Sequence, residues 1–211
     1  MEQENVGLYL GMDISEKYTM ISIYQQHMKE PQTISTIMGS ESYQIPTALA
    51  KKKGVGQWFF GREAKVRVKS GEALGVEDLL DKARTGEEVF LEHEKYAASD
   101  LLAIFLKRVL SLAGSAQAMM PLTKLVICLD KVSVEYMELF SAIMVKLGIE
   151  TDKLLLIDRR ESFYYYALSQ GPETFLHDVV MFDYTESDMV SCRLRRNMHT
   201  TPQVINLDQK N

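Results

Sequence analysis

Asp13 and Asp183 each end an apolar run and open a short polar turn, in "YLGMDISEKYTMISIY" and "VVMFDYTESDMVSC". In both copies a bulky residue follows, then a hydroxyl residue (Ser15, Thr185), then a glutamate (Glu16, Glu186). A second alternating run closes each copy. An aspartate at a strand end can meet a divalent cation or its waters while the turn's N–H groups face phosphate oxygens. Two such hairpins across a cleft would clamp one polyphosphate, an arrangement that needs copies distant in sequence. Asp and Ser are also common turn residues whatever the job. The doublet, not either copy alone, points to a site.

The elements that must position these residues can be read from periodicity. Residues 7–12 and 18–24 alternate as a hairpin, and "TISTIM" (33–38) reads as a third strand. "QIPTALA" and "QWFFGREA" read as two short strands around the tip "KKKGVG". The polar stretch 66–90 reads as a surface insertion with a short amphipathic piece, "VEDLLDKAR". Then come a helix ending at Gly114, a buried strand "TKLVICLD", and a helix from an N-cap at Ser133 to Gly148. The strand "KLLLIDRR", a short helix "ESFYYYALSQG" and a closing hairpin complete the chain. Two apolar strands joined by a helix imply a parallel crossover. The expected architecture is α/β, a ribonuclease H-like mixed sheet with flanking helices.

At these residues a resemblance emerges. "YLGMDISEKYT" resembles the first phosphate hairpin of the actin-like ATPase superfamily, most closely the ATPase domain of the seventy-kilodalton heat-shock chaperones, G-I-D-[LF]-G-T-[TS]. "IPTALA" with "WFFGREAK" is similar to that family's I-P-S and [VI]-G-x-x-A-K segments, and "LLLIDRRESFYYYAL" to its I-N-E-P-T-A-A-A segment. "VVMFDYTESD" resembles its second phosphate hairpin, D-[LF]-G-G-G-T-x-D. The four segments fall in the family's order across almost the whole chain. The resemblance implies lobe one of an actin-like ATPase at residues 1–175, with an insertion or subdomain near 40–95, and the opening hairpin of lobe two at 176–211.

It also implies cofactors, ATP and Mg²⁺. Asp13 and Asp183 would face the metal; Ser15, Lys17 and Thr185 would stand with them around the phosphates; Lys65 and Glu161 would flank the attacking water. The turns depart from the pattern. Ser15, Glu16 and Lys17 replace G-T-T, and Thr185 to Asp188 replace G-G-G-T. Glycine lets backbone approach a phosphate unobstructed. A glutamate ~4 Å from a phosphate charge is repelled by about 4 kcal/mol at an effective dielectric near 20. The expectation is the N-terminal portion of a chaperone-like, actin-like ATPase-fold protein with nucleotide binding weakened or lost. Alternatives are a working Mg-ATP lobe once joined to its second lobe, or a non-catalytic interaction and assembly module.

The plainer readings stand beside these. Lys65 lies among Arg62, Arg67 and Lys69 and could be a solvated surface lysine; Glu161 opens a helix, where the dipole alone favours a carboxylate. A metal-dependent nuclease using Asp13, Asp130, Asp158 or Asp183 is a third class. The net charge of −5 speaks against it and against nucleic-acid partners. Histidines without ligand spacing and two cysteines in apolar runs point to neither zinc nor disulfides. No apolar run is long enough for a membrane span and no signal-peptide pattern opens the chain, so the expected location is cytoplasmic. The expected partner is the protein's own C-terminal region or another protein, not a membrane.

Overall fold

The computed structural model describes residues 7–37, 39–114, 122–170, 178–184, 189–197 and 204–210. The chain divides into two compact units, 1–157 and 158–211.

The first unit opens on strands β1 (Leu8–Ile14) and β2 (Tyr18–Gln25), antiparallel with Ile14 opposite Thr19. Short strands β3 (Gln32–Thr33) and β4 (Ile45–Pro46) both pair with β2. β3 is thus much shorter than the run 33–38 suggested. β5 (Leu49–Lys52) and β6 (Trp58–Phe60) form the next hairpin, and helix α1 (Gly61–Lys69) follows. The stretch "GREA", read as strand, is therefore the start of a helix. β7 (Ala73–Val76) adds to β5, and α2 (Leu79–Thr85) leads to the hairpin β8 (Glu88–Leu91) and β9 (Glu94–Ala97). Helix α3 (Ala98–Gly114), β10 (Leu122–Leu129), α4 (Val134–Leu147), a 3-10 turn (Thr151–Lys153) and β11 (Leu154–Asp158) complete the layer.

The main sheet has the order β11-β10-β1-β2-β3, with β4 also on β2 and β10 parallel to β1. It is a mixed sheet in an α/β unit, as the periodicity required. Alternation along β1 sends Leu8, Leu10, Met12 and Ile14 to one face, where they join Phe105, Leu106, Phe140 and Ile143 of α3 and α4 in one core. Leu79, Leu80 and Ala83 of α2 are buried in that same core. The 66–90 stretch is thus not all surface, because three apolar residues at helical spacing suffice to dock it.

In the second unit, α5 (Arg159–Ser169) precedes an antiparallel sheet of β12 (Val179–Tyr184), β13 (Met189–Asn197) and β14 (Val204–Lys210). The closing hairpin thus gains a third strand. Cys192 and Leu194 are buried. Among the described residues no helix is long and apolar enough to cross a membrane.

Candidate functional site

The face of the sheet opposite the core carries the candidate residues of the first unit. Tyr9, Gly11 and Asp13 alternate with the buried positions of β1 and pair with Tyr24, Ser22 and Met20. Asp13 therefore lies between Met20 on β2 and Cys128 on β10, half-buried. A Cβ at Gly11, two residues before it, would sit 2.7 Å from Ser22 Oγ, so the Ser22 hydroxyl would have to turn away.

Lys65 reaches the same face. Its Nζ lies 5.6 Å from the centroid of the Tyr18 ring, and Tyr18 is two residues before Met20 on β2. The chain is folded to put it there. Thr47 N–H donates to Lys17 O, and Thr19 and Thr47 share a buried hydroxyl–hydroxyl bond of 2.9 Å, fixing "IPT" beside the first turn. Gly61 N–H donates to Ala48 O, and Gly61 adopts φ +61. A Cβ at Gly61 would lie 3.1 Å from Ile45 Cγ2. So the glycine of "FFGREAK" turns the strand into α1, and four residues later Lys65 stands over the first hairpin.

The first turn itself is closed. Ser15 N–H donates to Tyr18 O at 2.9 Å, Ser15 Oγ donates to the same carbonyl at 3.0 Å, and Tyr18 N–H donates to Ser15 Oγ at 3.2 Å. Ser15, expected beside a phosphate, thus spends its hydroxyl on the turn. Neither Ser15, Glu16 nor Lys17 is at positive φ, so the backbone lacks the conformation glycine supplies. Glu16 is exposed, and its side chain lies toward α2. Its carboxylate faces the N–H groups of Leu80 and Asp81 at the start of α2, whose own N-cap, Asp78, makes no side-chain cap and sits at φ 49. Partial burial raises the Glu16 pKa above the ordinary carboxylate value; these N–H groups oppose the rise, and the nearby Asp81 and Asp78 charges add to it. Arg84 bonds Asp81, through Nε at 3.1 Å, and lies 5.8 Å from the Tyr136 ring. The turn is tied to α2 by its glutamate, a contact between residues far apart in sequence and invisible to local pattern. Its geometry does not fit a phosphate cradle.

In the second unit, Asp158 caps α5 by accepting the Glu161 N–H at 2.8 Å. Glu161 Oε1 accepts from Tyr165 O–H at 3.3 Å, and this phenol is raised above its ordinary value by the Glu161 charge. Glu161 thus occupies the first-turn position where its charge complements the helix dipole. Asp183 lies on β12 opposite Val190. Thr185 lies outside the described residues. Among the described residues no three His, Cys, Asp or Glu side chains converge where they could hold a metal ion.

A mixed α/β unit with an additional small antiparallel sheet is therefore the class of protein in hand. Residues 30–211 match the family described as "Family of unknown function (DUF5716) C-terminal", and the chain belongs to that family. No curated protein matches it.

Proposed function

We propose that this chain is an actin-like ATPase-fold domain, resembling the chaperone-type ATPases, whose first phosphate turn no longer serves nucleotide and which works as a binding or assembly module. "Lobe one" here names a place in the fold, the matching family region being described as C-terminal. The hairpin order, the Asp13 strand end and the Lys65 approach to the same sheet face support the fold reading. One observation carries the loss of binding: the Ser15 hydroxyl and amide are both committed to Tyr18. With Glu16 turned toward α2, the turn lacks the glycine freedom that phosphate binding uses.

Lys65 on the Asp13 face favours the second reading, a lobe that binds Mg-ATP when joined to its partner lobe. A Ser15→Gly, Glu16→Thr double variant separates the two. Acquisition of a thermal shift with Mg-ATP by the variant, where the unaltered chain shows none, supports the lost-site reading. An equal shift in both would favour the working lobe.

A further inference from the structure

The sheets of the two units open alike. In the first, β1, β2 and β3 pair antiparallel in chain order, and Asp13 stands one residue from the end of β1. In the second, β12, β13 and β14 repeat that order, and Asp183 stands one residue from the end of β12. Aligned on the two aspartates, Leu10, Met12 and Ile14 correspond to Val180, Phe182 and Tyr184. The first three are buried in the core they share with α3 and α4. The second three are 50 %, 55 % and 73 % exposed. The strand edges differ in the same sense. β1 pairs on its other side with β10, in parallel, with Met12 beside Ile127. β12 is the end strand of its sheet among the described residues. Nothing there plays the part of β10, and the apolar stripe stays uncovered.

The stripe and the edge both suit an apolar occupant. Met189, opposite Tyr184 on β13, is exposed and widens the stripe. Arg193, opposite Val180, is held by Asp178 at its margin. Natural sheet edges are guarded by lysine, proline or a bulge. β12 reads VVMFDY, with neither lysine nor proline, and keeps an unbroken register with β13.

We propose that β12 binds a partner protein by strand addition. The first unit specifies the form of the occupant: a helix followed by a parallel strand with apolar residues at alternate positions. There α3 leads to β10, on which Leu125, Ile127 and Leu129 are buried. The partner's strand pairs along the open edge of β12, and its helix lies over Val180, Phe182 and Tyr184. This assignment goes beyond the closed first turn and holds whether or not nucleotide binds there.

Fluorescence anisotropy tests it, with a labelled synthetic peptide copying residues 98–131 and carrying Cys128→Ser, titrated with the 211-residue chain. The peptide is the one helix-and-strand segment already seated on an aspartate-ended strand of this kind. The expected result is saturable binding, with slowed hydrogen exchange at the β12 amides. Val180→Lys and Phe182→Lys, each folded by circular dichroism, should weaken binding by about tenfold or more, since each puts a charge into the buried stripe. Phe90→Lys, an exposed position in the first unit, should leave it unchanged. A peptide of residues 122–131 alone should bind more weakly, because it leaves the stripe uncovered. Absence of saturable binding, indifference to Val180→Lys and Phe182→Lys, or equal binding by the two peptides would overturn the proposal. So would a species of twice 24.1 kDa in sedimentation velocity that Phe182→Lys abolishes, which would make a second copy the occupant.

Discussion

The Ser15 hydroxyl and the Tyr18 backbone hold each other: Oγ donates to the Tyr18 carbonyl at 3.0 Å and accepts the Tyr18 N–H at 3.2 Å. A residue that would otherwise face a ligand is thereby the clasp of its own turn. Its replacement should register as stability. Ser15→Ala removes two part-buried bonds and should cost about 1–2 kcal/mol, read from the urea midpoint with unchanged slope. No change in midpoint would mean that the clasp contributes nothing.

Glu16 predicts a particular pH dependence. Its folded pKa is raised by burial, so in the folded state it holds its proton to higher pH than in the unfolded chain. The folded state therefore gains from Glu16 below the ordinary carboxylate range, and that gain is lost as pH rises through the raised value. Glu16→Gln keeps an oxygen for the Leu80 and Asp81 N–H groups and cannot ionise. Thermal denaturation across mildly acidic pH should show the variant losing less stability with rising pH than the unaltered chain. Parallel curves would contradict the assigned environment.

Lys51 is buried within β5, 5 % exposed, yet charged. Its Nζ meets Glu92 at 3.2 Å and Glu94 at 2.6 Å, and lies 5.8 Å from the Tyr96 ring. The hydrogen bond that Lys51 donates to Glu94 is the first cause that raises the lysine above its ordinary range. Glu92 stands at φ 58, a left-handed position usually left to glycine, and also accepts the Gly54 N–H at 2.8 Å. The cluster pins the β8–β9 hairpin to β5. Both carboxyls are lowered, Glu92 first by the Gly54 N–H and Glu94 first by Lys51. Their contribution is present above the ordinary carboxylate range and fades as pH falls through their folded values. Lys51→Met should lower the melting temperature more than Lys107→Met does, because it strands two carboxylates at the hairpin. Adding Glu92→Gln and Glu94→Gln to Lys51→Met should recover part of the loss.

Much of this was legible before the structure, and the failures have physical causes. α4 begins at Ser133, which accepts the Tyr136 N–H, and ends at Gly148 with φ 72, as the caps predicted. The β1–β2 hairpin followed from strict alternation that one buried face enforces. α1 was missed because "QWFF" is strand and the switch to helix depends on one glycine at φ +61, a backbone choice that no period reveals. α2 was misjudged as surface because its docking rests on three residues amid charges. At the site, Asp13 could be named from its strand end and Lys65 from the resemblance, but the approach of Glu16 to α2 is tertiary. Only folding could show that the glutamate faces the helix and not a ligand.

The central claim is that the first turn is closed to nucleotide. Isothermal titration calorimetry of Mg-ATP into the 211-residue chain measures this directly. The closed turn predicts no saturable heat and no rise in melting temperature at millimolar nucleotide. Saturable binding at micromolar nucleotide, abolished by Asp13→Asn, would contradict it.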